Sequence, residues 1–268
     1  HPYRWTTIGE MEHLDAATLD EFLAFNKKFY VPNNAVLVVA GDIDISTTKK
    51  MIQDYFGDIP RGADIDRNYE KDDPITESIN ATAYDSNIQI PAVVNAYRTP
   101  GFTERDSRVL DMISTYLSDG PSSKLYKKLV DEKKMALQTG AFNISQEDYS
   151  MYVIFGLPLG ENTLSDLVSE MDEEIVKIQN QLISERDYQK LQNKIENAFV
   201  SSNASVEGIA NSLARYHMLY DDTNLINSEI DIYRSITREE IKDVANKYLN
   251  PNQRLVLEYL PETKENEL

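Results

Sequence analysis

A stretch near one end of this 268-residue chain recurs near the other, and that recurrence restricts the fold more than any other feature. Residues 16–41 read AATLDEFLAFNKKFYVPNNAVLVVAG, and residues 235–260 read SITREEIKDVANKYLNPNQRLVLEYL. The two align without a gap at an offset of roughly 220 residues, with Pro32 standing against Pro251. Both copies obey the same local physics. Thr18-x-x-Glu21 and Thr237-x-x-Glu240 are capping boxes, in which two side chains satisfy otherwise orphaned helix N–H groups. Phe22, Phe25 and Phe29 in one copy, and Ile241, Val244 and Tyr248 in the other, then lay one apolar stripe along a helix. Pro32-Asn33 and Pro251-Asn252 stop that helix, because proline cannot continue it. Apolar, β-rich runs follow at Val36–Val39 and at Leu255–Leu257. Each copy is predicted to be a capped helix, a Pro-Asn turn and a strand.

A repeat of that period implies two related units, of which the second has its full length before Pro251 and the first does not. The expected organisation is therefore residues 1–60 as the C-terminal remnant of a first domain, 61–77 as a linker, and 78–268 as a complete second domain. Arg61–Pro74 is polar, charged and glycine-containing, as a linker should be. Before it, a helix is predicted from Ser46, with Met51, Ile52, Tyr55 and Phe56 apolar and Gly57 as its stop. After it, Ser78–Tyr97 is β-like and broken at Pro91, and a helix capped by Thr103 carries Val109, Leu110, Ile113, Tyr116 and Leu117 inward.

The turn Ser118-Asp119-Gly120-Pro121-Ser122 feeds a second helix through Leu125, Leu129 and Val130. Ala136–Ile144 and Met151–Leu159 read as strands joined at a Glu147-Asp148 tip. Helical patterns follow at 162–180, 185–202 and 205–220, before the second repeat copy closes the chain. Strands and helices fall in blocks, so the fold class is α+β: an antiparallel sheet with helices layered on one face.

Histidine occurs three times, as His1, His13 and His217, and no H-E-x-x-H or H-x-x-E-H run is present. Glu12-His13 belongs to neither, since no histidine lies three residues before Glu12. His13 and His217 read as surface or packing residues. There is no cysteine, which excludes disulfides, thiol nucleophiles and cysteine zinc sites. G-x-S-x-G, G-x-G-x-x-G and P-loop patterns are all lacking. Asp172-Glu173-Glu174 reads as the solvated face of a helix. No catalytic, substrate-binding or metal-ligating residue is assigned within this chain.

Charge narrows the partners. The formal net charge is −18, from 45 acidic and 27 basic residues, and such a field repels phosphate backbones, so no nucleic acid is expected as a partner. The longest apolar stretch, Ala35–Ala40, is too short to span a bilayer, and the residues from His1 show no charged-then-apolar leader pattern.

At this point the sequence resembles a known family. Phe29-Tyr30-Val31-Pro32-Asn33-Asn34-Ala35 running into Val38-Val39-Ala40-Gly41-Asp42, followed by Gly57-Asp58-Ile59-Pro60, looks like the end of the first domain of the pitrilysin/insulysin-type zinc peptidases. Ser118-Asp119-Gly120-Pro121-Ser122-Ser123-Lys124-Leu125-Tyr126 looks like the glycine-serine turn and helix of their second domain, and His1-Pro2-Tyr3 is similar to a run of their first. The likeness covers nearly the whole chain and is greatest to bacterial and mitochondrial-processing-peptidase-like members.

The resemblance implies tandem α+β domains and a zinc held by an H-x-x-E-H motif in the first, upstream of the part this chain resembles. Zinc is thus expected in the full-length protein, with ligands outside this chain, and the isolated chain is expected to be inactive. Relatives that assist a partner's zinc site carry an arginine and a tyrosine seven residues apart in the second domain, whereas Val130 and Leu137 stand at the matching positions here. The resemblance further implies peptide substrates, a homo- or hetero-oligomer such as a dimer with a related subunit, and a bacterial periplasm or cell envelope. Two other readings stand beside it: a non-catalytic structural subunit of the same fold, and an unrelated acidic α+β binding domain.

Overall fold

In the computed structural model, which describes residues 1–262, the two repeat copies form the same helix residue for residue. One runs Leu19–Phe29 and the other Arg238–Tyr248, and both close the predicted capping box, with Thr18 paired to Glu21 and Thr237 to Glu240. Even the exit geometry matches: Tyr30 has φ −92° and ψ 65°, and Leu249 has φ −96° and ψ 48°. These features are set within one or two turns of chain, so equal sequence gives equal structure.

The copies part at the strand. Leu255–Pro261 is a strand with a partner on each side. The strand predicted at Val36–Val39 does not form, and residues 35–40 join no ladder among the described residues. A strand is only stable when neighbouring backbone takes its N–H and C=O groups, and the described residues around the first copy supply no sheet.

The chain divides into two compact units, residues 1–73 with 200–227, and residues 74–199 with the part from 228 on. The first contains α1 (Met11–Ala16), α2 (Leu19–Phe29), α3 (Ile45–Phe56) and, from its second segment, α7 (Val206–Tyr220). None of these four helices buries a single residue. Phe22 and Phe25, on the predicted apolar stripe, and Met51 and Phe56, apolar residues of the next predicted helix, are each more than half exposed. Helix α3 begins at Ile45, one residue before the predicted Ser46, because Asp44 is the cap and accepts from Thr47 N–H at 2.7 Å.

The second unit holds a five-stranded sheet in the order β1-β5-β2-β4-β3. Its strands are β1 (Ile79–Asp85), β2 (Ala92–Pro100), β3 (Ala136–Ile144), β4 (Tyr149–Pro158) and β5 (Leu255–Pro261). All pairings are antiparallel except the edge pair β1 and β5, which is parallel. Helices α4 (Arg105–Ser118), α5 (Leu164–Asn180) and α9 (Arg238–Tyr248) pack on the sheet. The core lies between them: Val93, Tyr97, Tyr152 and Ile154 point up from the strands, meeting Leu110, Ile113, Leu117, Leu167, Met171, Ile175, Ile241 and Ala245. On the opposite face Ile79, Phe142, Ile144 and Met151 remain more than a third exposed. Helices α6 (Glu185–Ser202) and α8 (Leu225–Arg234) are the remaining α-helices among the described residues.

Two local expectations are corrected, and one helix lies outside every predicted element. Helix α4 starts after Glu104, with no side-chain cap, so Thr103 does not cap it. Helix α8 was not predicted, although Leu225, Ile226, Ile230 and Tyr233 fall at helical spacing. The run Asp172-Glu173-Glu174 is not a solvated face: only Glu173 is exposed, Glu174 is buried, and Asp172 receives a fork of hydrogen bonds from the buried Arg254 guanidinium. Arg254 also donates to the Tyr97 hydroxyl at 2.9 Å, and burial above all pushes that phenol up to about 12.

Candidate functional site

The three histidines are each engaged with near neighbours in sequence. His1 Nδ1 accepts from Tyr3 N–H at 3.2 Å, His13 meets the Trp5 ring edge-on, and His217 lies 3.7 Å from Asp221. Among the described residues, no group of three or more histidine, cysteine, aspartate or glutamate side chains is placed to hold a metal ion. The donors that zinc takes are therefore not assembled here, and no step through zinc is assigned to this chain.

The segment from Ser118 to Leu137, singled out by the resemblance, is where the backbone of the second unit departs most from regular geometry. Gly120 turns at φ +83°, a conformation open to glycine at no cost, and Ser123 N–H closes the turn on Gly120 C=O at 3.0 Å. Ser118 Oγ ties the end of α4 to β3 by donating to Ala141 C=O at 2.6 Å. The helix predicted through Leu125, Leu129 and Val130 is wound as a π-helix over Tyr126–Glu132, and Lys133 N–H reaches back five residues to Lys128 C=O. Lys134 follows at φ +52°, and β3 opens with a bulge in which Leu137 is the extra residue between Ala136 and Gln138. π-Helical turns and β-bulges concentrate at functional sites because they re-aim side chains.

Both positions marked by the family pattern sit on these irregular elements. Val130 lies on the π-helix, half-buried against the core, and Leu137 stands out of the bulge, 48% exposed. Neither side chain has a donor, so neither can hydrogen-bond a developing oxyanion through its side chain.

Charge fixes the π-helix to α5. Lys128, mostly buried, meets Glu173 at 2.6 Å, Glu170 at 2.9 Å and Glu174 at 3.4 Å, and Lys133 also pairs with Glu170. Burial alone would lower the Lys128 ammonium, but the bonds to Glu173 and Glu170 outweigh it and raise its pKa. The same contact from Lys128 holds the Glu173 carboxyl below its ordinary range.

A basic group beside the turn escaped the sequence reading. Lys124, Lys127, Arg186, Lys190 and Lys194 gather around two adjoining hollows. The available signal was the four-residue spacing of Arg186, Lys190 and Lys194, which places three cations on one face of a single helix.

The α+β fold, the apolar side chains at Val130 and Leu137, and the lack of a metal-holding group among the described residues are those of a non-catalytic domain. Residues 16–195 match the family described as Peptidase M16 inactive domain, and the chain belongs to that family. It is 26% identical over 258 residues to the zinc protease PqqE of Helicobacter pylori, covering 94% of this chain and 57% of that protein. A crystal structure of a protease from Helicobacter pylori shares the fold, with a TM-score of 0.90 at 24% identity over 97% of this chain and 63% of the other. The periplasmic protease PqqL of Escherichia coli is more distant, with a TM-score of 0.63 at 16% identity over 83% of this chain and 25% of its own. The chain thus spans little more than half the length of the PqqE relative.

Proposed function

We propose that this chain is the C-terminal portion of a zinc-dependent endopeptidase that degrades or processes peptides. In this reading it forms chamber wall and docking surface, while the zinc and its ligands lie in a further segment of the full-length protein. The observation that carries the reading is the family match across 16–195 to the inactive domain. The apolar faces of α2 and α3 support it: Phe22, Phe25, Met51 and Phe56 are what the end of a first domain shows when the rest of that domain is not beside it. Residues 1–60 would then belong to that first domain, with 61–77 as linker. Val130 and Leu137 lack the donors that assist a zinc site in other members, so a related subunit in an oligomer, or an opposed second half, would supply them. A bacterial envelope location fits the periplasmic relative.

The test is made on the full-length protein. An H-x-x-E-H motif upstream of His1, about one zinc per chain by metal analysis, and chelator-sensitive cleavage of a fluorogenic peptide are the expected results. The isolated 268-residue chain should bind no stoichiometric zinc and cleave nothing. Absence of the motif, or cleavage that survives chelation, overturns the reading. A degenerate motif with tight copurification of an active paralogue would instead favour the structural-subunit reading, which the apolar pair Val130 and Leu137 also fits.

A further inference from the structure

A basic cleft on a chain of net charge −18 demands an explanation. Arg186, Lys190 and Lys194 follow one another at four-residue intervals along α6, and Lys124 and Lys127 reach the same place from the segment after the glycine turn. The part bounded by the turn and α6 encloses about 700 Å³ and is open to solvent. Five cations line the two hollows against two carboxylates, Asp119 and Asp187.

Those carboxylates show what the cluster accepts. Asp187 takes Lys124 at 2.8 Å, and Asp119 takes Lys194 at 2.6 Å. The other three cations are matched less closely. Lys190 donates to the uncharged Ser122 hydroxyl and acts on Asp187 only through space, Lys127 forms a longer ion pair of 3.6 Å with Glu132, and Arg186 has no hydrogen bond or ion pair among the described residues. Like charges lining one hollow repel one another, and an incoming anion relieves that repulsion. An unengaged guanidinium also offers a fork that fits a carboxylate through two parallel hydrogen bonds.

We propose that this cleft binds an acidic segment of a peptide, with its carboxylates on Arg186 and Lys190 and further support from Lys127. Closely spaced oxyanions are the shared chemistry, and polyphosphates also carry them. The choice of a peptide rests on the reading of the whole protein as a peptidase.

The experiment measures fluorescence anisotropy of labelled hexaglutamate with the full chain at low salt. Saturable binding is expected, weakened about tenfold or more by the double reversal R186E/K190E and by raised salt. The same charge change on α3, K49E/K50E, should leave binding within about twofold, since those lysines are exposed and line neither hollow. Circular dichroism checks that the variants fold, and the milder R186Q/K190Q serves if the reversal does not. Equal weakening by both reversals, no binding of hexaglutamate, or calorimetric binding of inorganic tripolyphosphate alone would each overturn the proposal. Binding is read without cleavage, so the two readings fail separately. A full-length peptidase indifferent to hexaglutamate sinks only this site, and a full-length protein without a zinc motif sinks only the peptidase.

Discussion

Replacing Glu229 by glutamine takes one charge from a pair that is almost sealed from water. Arg108 on α4 and Glu229 on α8 are 8% and 10% exposed at their side chains, and two N–H···O bonds of 2.8 and 3.0 Å join them. Removing one partner takes the two-bond counter-charge away from a desolvated guanidinium, and breaking a buried pair in this way costs about 3–5 kcal/mol. Against a typical total stability of about 5–15 kcal/mol, that is a large share. For a unit of this size it lowers the melting temperature by roughly 10 °C. The double change Arg108→Met with Glu229→Leu removes both charges and should recover most of that loss, because the pair's attraction mainly repays its own desolvation. The only tryptophan, Trp5, lies in the first unit and does not report on this pair. The assay is therefore urea unfolding followed by hydrogen exchange in peptides from α4. A loss under about 1 kcal/mol for E229Q, or a double variant no better than the single, would refute the reasoning.

Three further outcomes are expected. Thr237→Ala, which removes a formed capping box on the buried helix α9, should cost about 1 kcal/mol in urea unfolding. Gly101→Ala should cost about 1–3 kcal/mol, since the new methyl group would stand 2.2 Å from the Glu147 carbonyl oxygen and backbone must move. Acid should weaken the second unit: the Glu240 carboxyl is held low chiefly by hydrogen bonds from Arg105, and Glu173 by Lys128. Carboxyls depressed in the folded state contribute stability at pH values above their unfolded pKa and lose it as pH falls through the folded pKa. The melting temperature should thus stay level from pH 7 to about 5 and fall below about 4.5, with high salt flattening the fall. A melting temperature that holds down to pH 3 would count against these contacts.

What the sequence by itself determined is what short stretches of chain decide. The two capping boxes, the Pro-Asn stops, the turn at Gly120 and the strands of the 136–158 hairpin rest on contacts within a few residues, and they stand where the sequence put them. The family resemblance was legible for the same reason, because its motifs are local. Tertiary structure decided the rest. Val36–Val39 and Leu255–Leu257 have the same β-rich character, yet only the latter becomes a strand, since a ladder needs a partner that no local pattern supplies. The acidic run at 172–174 has the pattern of a solvated face, and only the fold brings Arg254, far along the chain, against Asp172. The basic cleft arises only when α6 is laid beside the turn at Gly120, because charge density in space depends on which segments meet, not on their order in the chain.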